Sequence, residues 1–253
     1  MDGGLTRRGA VALVALFAAA TAFAGLFSLP PLDRDEARFA QATAQMLESG
    51  DYITIRFQDS ERNKKPAGIY WLQAASVSAL SDVKAREIWA YRIPSMIGVV
   101  FAAVFTFLAG VRLYDIRTGL LAGMLLASAP VVAAEGTIAK TDGVLLALVC
   151  LAQLAFVEVY ARVQAGEKTG WRWPMAFWAA QGAGVLVKGP IAPMISLLTG
   201  LGLATGTPRF KWFAALRPIA GVIILMLMVA PWAFAIWKAT EGRFFSDAIG
   251  GDM

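Results

Sequence analysis

Apolar residues gather into seven long runs, at residues 10–29, 93–111, 119–134, 143–160, 173–187, 191–205 and 219–237. A run of about 20 apolar residues is long enough to cross a bilayer. Each run is rich in Leu, Ala, Val, Gly and Phe and lacks the two-residue alternation of a membrane barrel. Backbone groups in lipid must find their partners within the chain, so the runs predict seven transmembrane helices in an all-α integral membrane protein. The runs at 173–187 and 191–205 are the shortest and are separated by Lys188-Gly189-Pro190. The first run follows Arg7 and Arg8 and exceeds the apolar stretch of a cleaved signal peptide, so it reads as a signal anchor.

Between the first two runs lies a polar stretch, residues 30–92, far longer than a helix connector. Pro30 and Pro31 end the first run, and an aspartate follows as a helix cap in Leu32-Asp33-Arg34-Asp35. From Glu36 to Leu47 the residues Phe39, Ala42, Thr43, Met46 and Leu47 share one helical face, which predicts an interfacial amphipathic helix. Gly50 stops it, and residues 52–57 alternate as a short extended segment. Pro66 opens a second helix through Ile69, Tyr70, Trp71 and Leu72. The loop is thus expected to carry two interfacial helices.

Charge then sets orientation. With the N-terminus in the cytoplasm, the inner short segments, including Arg209, hold ten Lys and Arg, the outer short segments four, and the long outer loop the remaining nine. Short loops govern this rule, so the N-terminus is expected inside and the long loop outside, which is periplasmic in a bacterial inner membrane. Composition agrees: 58% of residues are hydrophobic and 16% charged, against about 25% charged in soluble domains. The net charge of +5 lies between apolar runs, which fits membrane orientation rather than nucleic-acid binding. Cys150 is the single cysteine, so no intrachain disulfide forms, and the absence of histidine removes imidazole chemistry.

Three motifs occur in order in the loop: Asp35-Glu36-Ala37-Arg38-Phe39-Ala40, Met46-Leu47-Glu48-Ser49-Gly50-Asp51-Tyr52, and Lys65-Pro66-Ala67-Gly68-Ile69-Tyr70-Trp71-Leu72. Downstream come Thr137-Ile138-Ala139-Lys140-Thr141-Asp142 and Val187-Lys188-Gly189-Pro190. The set resembles the aminoarabinose transferase and the related dolichyl- or polyprenyl-phosphate-sugar transferases, which share a type C glycosyltransferase fold. The resemblance covers nearly the whole chain, but family members are about twice as long, so the chain is expected to be a fragment of a longer enzyme. Its expected organisation is a single membrane domain over 1–253, with a first span at 10–29 and a periplasmic active-site loop at 30–92. Six further spans at 93–237 and the start of a periplasmic segment at 238–253 complete it.

The resemblance implies transfer of a sugar from polyprenyl (undecaprenyl) phosphate to a lipid or glycan acceptor such as lipid A, at the periplasmic face. Such transfer passes through an oxocarbenium-like state with a phosphate leaving group. It needs an acid near the acceptor and a cation near the phosphate. By resemblance Asp35 is the catalytic acid, Lys65 the phosphate-binding cation, and Asp142 a second acid of the same cavity. Lys188 interrupts an apolar stretch at its outer edge and is a further phosphate contact. Each has a plainer reading: Asp35 and Asp142 as helix caps, Lys65 as a snorkelling cation, Lys188 as a helix terminator. Glu36, Arg38, Arg56 and Arg62 are lesser candidates, as salt bridges or headgroup contacts. Where relatives carry Glu before the Lys-Pro pair this chain has Lys64, so no cofactor and no metal site of the relatives' type is expected, a divalent metal of another kind being left open, and Phe39 stands for the usual Tyr. The rival function is a transporter or flippase of lipid-linked sugars, against which stands the lack of an internal repeat; an inactive fragment is the other alternative.

Overall fold

The computed structural model describes residues 6–31, 34–206 and 210–250. Asp33 of the capping segment and Arg209 of an inner segment lie outside the described residues. The described chain is a helical bundle of twelve α-helices with one two-stranded hairpin. The order is α1 (Arg7–Phe23), α2 (Arg34–Ser49), β1 (Arg56–Phe57), β2 (Ser60–Glu61), α3 (Gly68–Leu80), α4 (Ile88–Leu113), α5 (Ile116–Ser128) and α6 (Pro130–Gly136). There follow α7 (Asp142–Gln164), α8 (Arg172–Lys188), α9 (Ile191–Gly206), α10 (Lys211–Ala215), α11 (Pro218–Thr240) and α12 (Arg243–Gly250).

The expectation of seven spans is corrected. Among the described residues three helices are long and apolar enough to cross a membrane, α4, α7 and α11, or four if α5 and α6, bent by 65°, count as one broken span. An apolar run and a continuous helix are different things. The first run is helical only to Phe23 and then turns, so α1 has 17 residues. At 1.5 Å per residue that reaches about 25 Å, short of a hydrocarbon core of about 30 Å. Similarly, α8 has 17 residues and stops at Gly189, whose φ of 72° only glycine adopts easily, and α9 has 16. Pro130 breaks the third run by starting a new helix, where its missing N–H costs nothing.

The outer loop is also folded more tightly than its pattern implies. The apolar face read from the sequence is the buried face of α2, with Phe39, Ala42, Thr43 and Met46 inside, but it packs on protein. Buried Thr43 Oγ1 donates to Gln73 Oε1 of α3 at 2.7 Å. α3 is apolar nearly all round and is therefore not amphipathic. The extended segment shrinks to the hairpin, with Arg56 opposite Glu61 and Phe57 opposite Ser60. Gln45 of α2 grips the turn, donating to Gln58 O at 3.0 Å and accepting from Gln58 N at 2.8 Å. Trp71 Nε1 donates to Tyr52 O at 2.8 Å.

α4 and α7 form the centre of the bundle, and small residues let their backbones approach. A Cβ on Gly143 would lie 2.7 Å from Ser95 O, closer than real side chains come, so glycine is required here. A core of Phe39, Met46, Tyr70, Leu145, Trp232 and Phe244 joins α2, α3, α7, α11 and α12. It seats the outer loop on the ends of the long helices.

Candidate active site

The site is organised by one buried ion pair. Arg92, in the second turn of α4, is 1% exposed, and Glu36, in the first turn of α2, is 0% exposed. Arg92 Nε donates to Glu36 Oε1 at 2.7 Å and an Nη to Glu36 Oε2 at 3.0 Å, a two-pronged bond. The other guanidinium donors reach the carbonyls of Leu26 at 3.0 Å, Leu29 at 2.8 Å and Pro30 at 3.2 Å. These are the carbonyls left without helical partners where the chain turns after α1. Glu36 Oε1 also accepts from the Ala139 amide at 2.9 Å. One charge pair therefore ties together the exit of α1, the start of α2, the start of α4 and the segment before α7. Desolvation on this scale is tolerated because the pair is fully hydrogen-bonded.

The clamp places two of the expected residues. Asp35 neighbours Glu36 on α2 and is half exposed, with Arg38 at 3.4 Å from its carboxylate. Asp142, three residues past the clamped Ala139, opens α7 in its first turn. Its carboxylate is 38% exposed and forms an ion pair with Lys188 Nζ at the end of α8. Lys65 is half-buried just before α3. The first residue of α3, Gly68, lies against the backbone of Leu186 in α8, and a Cβ there would be 2.6 Å from Leu186 O. That packing brings the segments bearing Lys65 and Lys188 to one corner. The expected acids and cations thus lie on segments held around the same end of α7.

The lesser candidates divide. Glu36 is sealed from solvent and holds the site's frame. Arg62 lies 5.3 Å over the Phe39 ring and its Nε donates to Tyr70 Oη at 3.3 Å. Burial pushes the Tyr70 phenol up to about 12, against the opposing pull of Arg62, so it stays protonated. Arg38 lines a polar cleft beside the hairpin. Arg56 is exposed on β1, opposite Glu61. Sequence reading missed Arg92 and Tyr70. The signal for Arg92 was available: a lone charge at the start of a long apolar helix calls for a buried partner.

No group of three potential metal ligands comes together among the described residues. Near Lys64 the carboxylates of Glu61 and Asp247 are bonded to Asn63, and Glu61 also to Arg243.

Comparison with known proteins places this geometry. The chain is 28% identical over 239 residues to an undecaprenyl phosphate-alpha-4-amino-4-deoxy-L-arabinose arabinosyl transferase of Pseudomonas paraeruginosa, covering 87% of this chain and 41% of that one. It is 29% identical over 251 residues to a transferase of the same description from Pseudomonas fluorescens, covering 95% and 43%. The chain thus spans about two-fifths of the length of these relatives. Its fold matches the crystal structure of ArnT from Cupriavidus metallidurans, apo and bound to undecaprenyl phosphate, with a TM-score of 0.81 and 20% identity over 96% of this chain and 44% of that one. Together with three helices able to cross a bilayer, this makes it a membrane protein. Residues 64–237, which include Lys65, Asp142 and Lys188, match the model of one family, and the chain belongs to it: the dolichyl-phosphate-mannose-protein mannosyltransferases.

Proposed function

We propose that this chain carries catalytic and donor-binding parts of a glycosyltransferase that moves a sugar from polyprenyl phosphate to a lipid or glycan acceptor such as lipid A, on the periplasmic side of a bacterial inner membrane. The observation that carries the reading is the Asp142–Lys188 ion pair, its acid three residues past Ala139, whose amide bonds to Glu36, the neighbour of Asp35. Acid and cation at one corner are what the reaction requires. The acceptor oxygen attacks the anomeric carbon while the bond to the phosphate oxygen breaks, and that oxygen leaves with the electron pair. Asp35 takes the proton when the acceptor is a hydroxyl; an ionised phosphate acceptor needs no base. Lys65 and Lys188 face the growing charge on the departing phosphate. Asp142 holds Lys188 in place until the donor arrives. The relatives' description, naming undecaprenyl phosphate and an aminoarabinosyl group, supports this class of donor.

The test is label transfer in membranes containing the chain, with a radiolabelled undecaprenyl-phosphate sugar and lipid A. Asp35→Asn is expected to lower transfer roughly 10²- to 10⁴-fold at equal protein level. Unchanged turnover in that variant would remove Asp35 from the chemistry. Label that crosses the membrane with its sugar–phosphate bond intact would favour a transporter.

A further inference from the structure

The polar cleft beside the hairpin plays no part in the steps above. It encloses about 660 Å³ and is lined by Arg38 of α2, Phe57 of β1, Arg62, Asn63 and Lys64 after the hairpin, and Asp247 of α12. Its acids are already engaged. Asn63, 6% exposed, donates to Asp247 Oδ2 at 3.0 Å and to Glu61 Oε2 at 3.3 Å. Arg243 reaches Glu61 Oε1 at 3.3 Å. These bonds dock α12 onto the hairpin and make it the far wall. Its cations are less engaged. Lys64 is exposed and has no ion-pair or hydrogen-bond partner among the described residues. Arg62 uses Nε on Tyr70. The lining thus offers cationic donors for a phosphate and the ring of Phe57 for a sugar face.

Position narrows the choice of ligand. Arg38 lines the cleft and contacts the Asp35 carboxylate, so the cleft adjoins the residue assigned to the acceptor. The donor phosphate is assigned to Lys65 and Lys188, neither of which lines the cleft. Apart from Phe57 the cleft's lining is polar, with no apolar wall for a polyprenyl chain. We propose that this cleft binds the phosphate-bearing sugar headgroup of the acceptor glycolipid, with Lys64 as a phosphate contact. The inference rests on the transferase reading, yet it concerns binding alone.

The experiment uses the chain in phosphatidylcholine nanodiscs, titrated separately with phosphorylated lipid A, dephosphorylated lipid A and undecaprenyl phosphate. Lys64 is exposed, so Lys64→Glu is expected to leave the thermal midpoint unchanged. It is expected to weaken phosphorylated lipid A about five- to tenfold, as loss of a charge-assisted bond does. Affinity for the dephosphorylated form and for undecaprenyl phosphate stays the same, and Lys64→Arg retains affinity for the phosphorylated form. Absence of wild-type binding, equal affinity in Lys64→Glu, an equal loss in Lys64→Arg, or a matching loss for undecaprenyl phosphate would each overturn the assignment. Binding is read without turnover, so its failure is distinct from a failure of label transfer.

Discussion

Arg92 keeps a full charge where water does not reach, so its neighbours supply all its bonds. Removing one partner of such a pair strands the other. Arg92→Met or Glu36→Gln is expected to lower stability by about 3–5 kcal/mol, read from thermal unfolding in detergent. The double variant should lose less than the sum, since no charge is left unpaired. The Asp142–Lys188 pair differs because both groups meet solvent, and exposed pairs contribute only about 0–1 kcal/mol. Asp142→Asn should therefore depress transfer sharply while the thermal midpoint moves little. A midpoint loss as large as that of Arg92→Met would make Asp142 a structural residue. Tyr70 adds a pH signature. Its phenol ionises near 12 when folded and near 10 when unfolded, so the folded state binds its proton more firmly. Its contribution is full below about pH 10 and is lost as pH rises toward 12. The thermal midpoint should fall across that window, and Tyr70→Phe should reduce the fall.

At the scale of elements, the site depends on how closely α4 and α7 pack. Gly143 follows Asp142 directly and lies against the Ser95 carbonyl of α4. Gly143→Ala should push the helices apart, costing about 1–3 kcal/mol as overpacking does. It should also lower transfer, because the start of α7 moves with its carboxylate. A variant with normal activity would show that the corner tolerates movement. The α2 face was legible from spacing, since Phe39, Ala42, Thr43 and Met46 recur at helical intervals. Its partner was not. An apolar face buries itself against protein or lipid for the same reason, and spacing does not distinguish them. Helix ends were less legible still: the turn after Phe23 and the stop at Gly189 shorten runs that composition alone leaves continuous.

For the whole molecule, α4, α7 and α11 place Glu87, Asp142 and Thr240 at the site end of the bundle and Leu113, Gln164 and Arg217 at the other. With Cys150 replaced by Ser, single cysteines at Asp59 and Glu241 should react with an impermeant thiol reagent added outside intact cells. Cysteines at Asp115 and Lys168 should react only after permeabilisation. Labelling of all four from outside would contradict a bundle crossing the membrane in this sense.

The sequence by itself determined the helical character of the apolar runs, because lipid leaves backbone groups no other partner. It also offered Asp35, Lys65, Asp142 and Lys188 as candidates, because they occur in motifs of fixed order that resemble a known family. Tertiary structure decided how many runs become full-length helices, since turns and bends depend on packing. It decided that Glu36 forms a buried salt bridge rather than a headgroup contact, because Arg92, 56 residues away, makes burial of that charge tolerable. It also assembled the polar cleft from α2, the hairpin and α12, where the Asn63–Asp247 bond joins residues 184 positions apart. Such pairings depend on distance in space, and spacing along a chain carries no direct record of it.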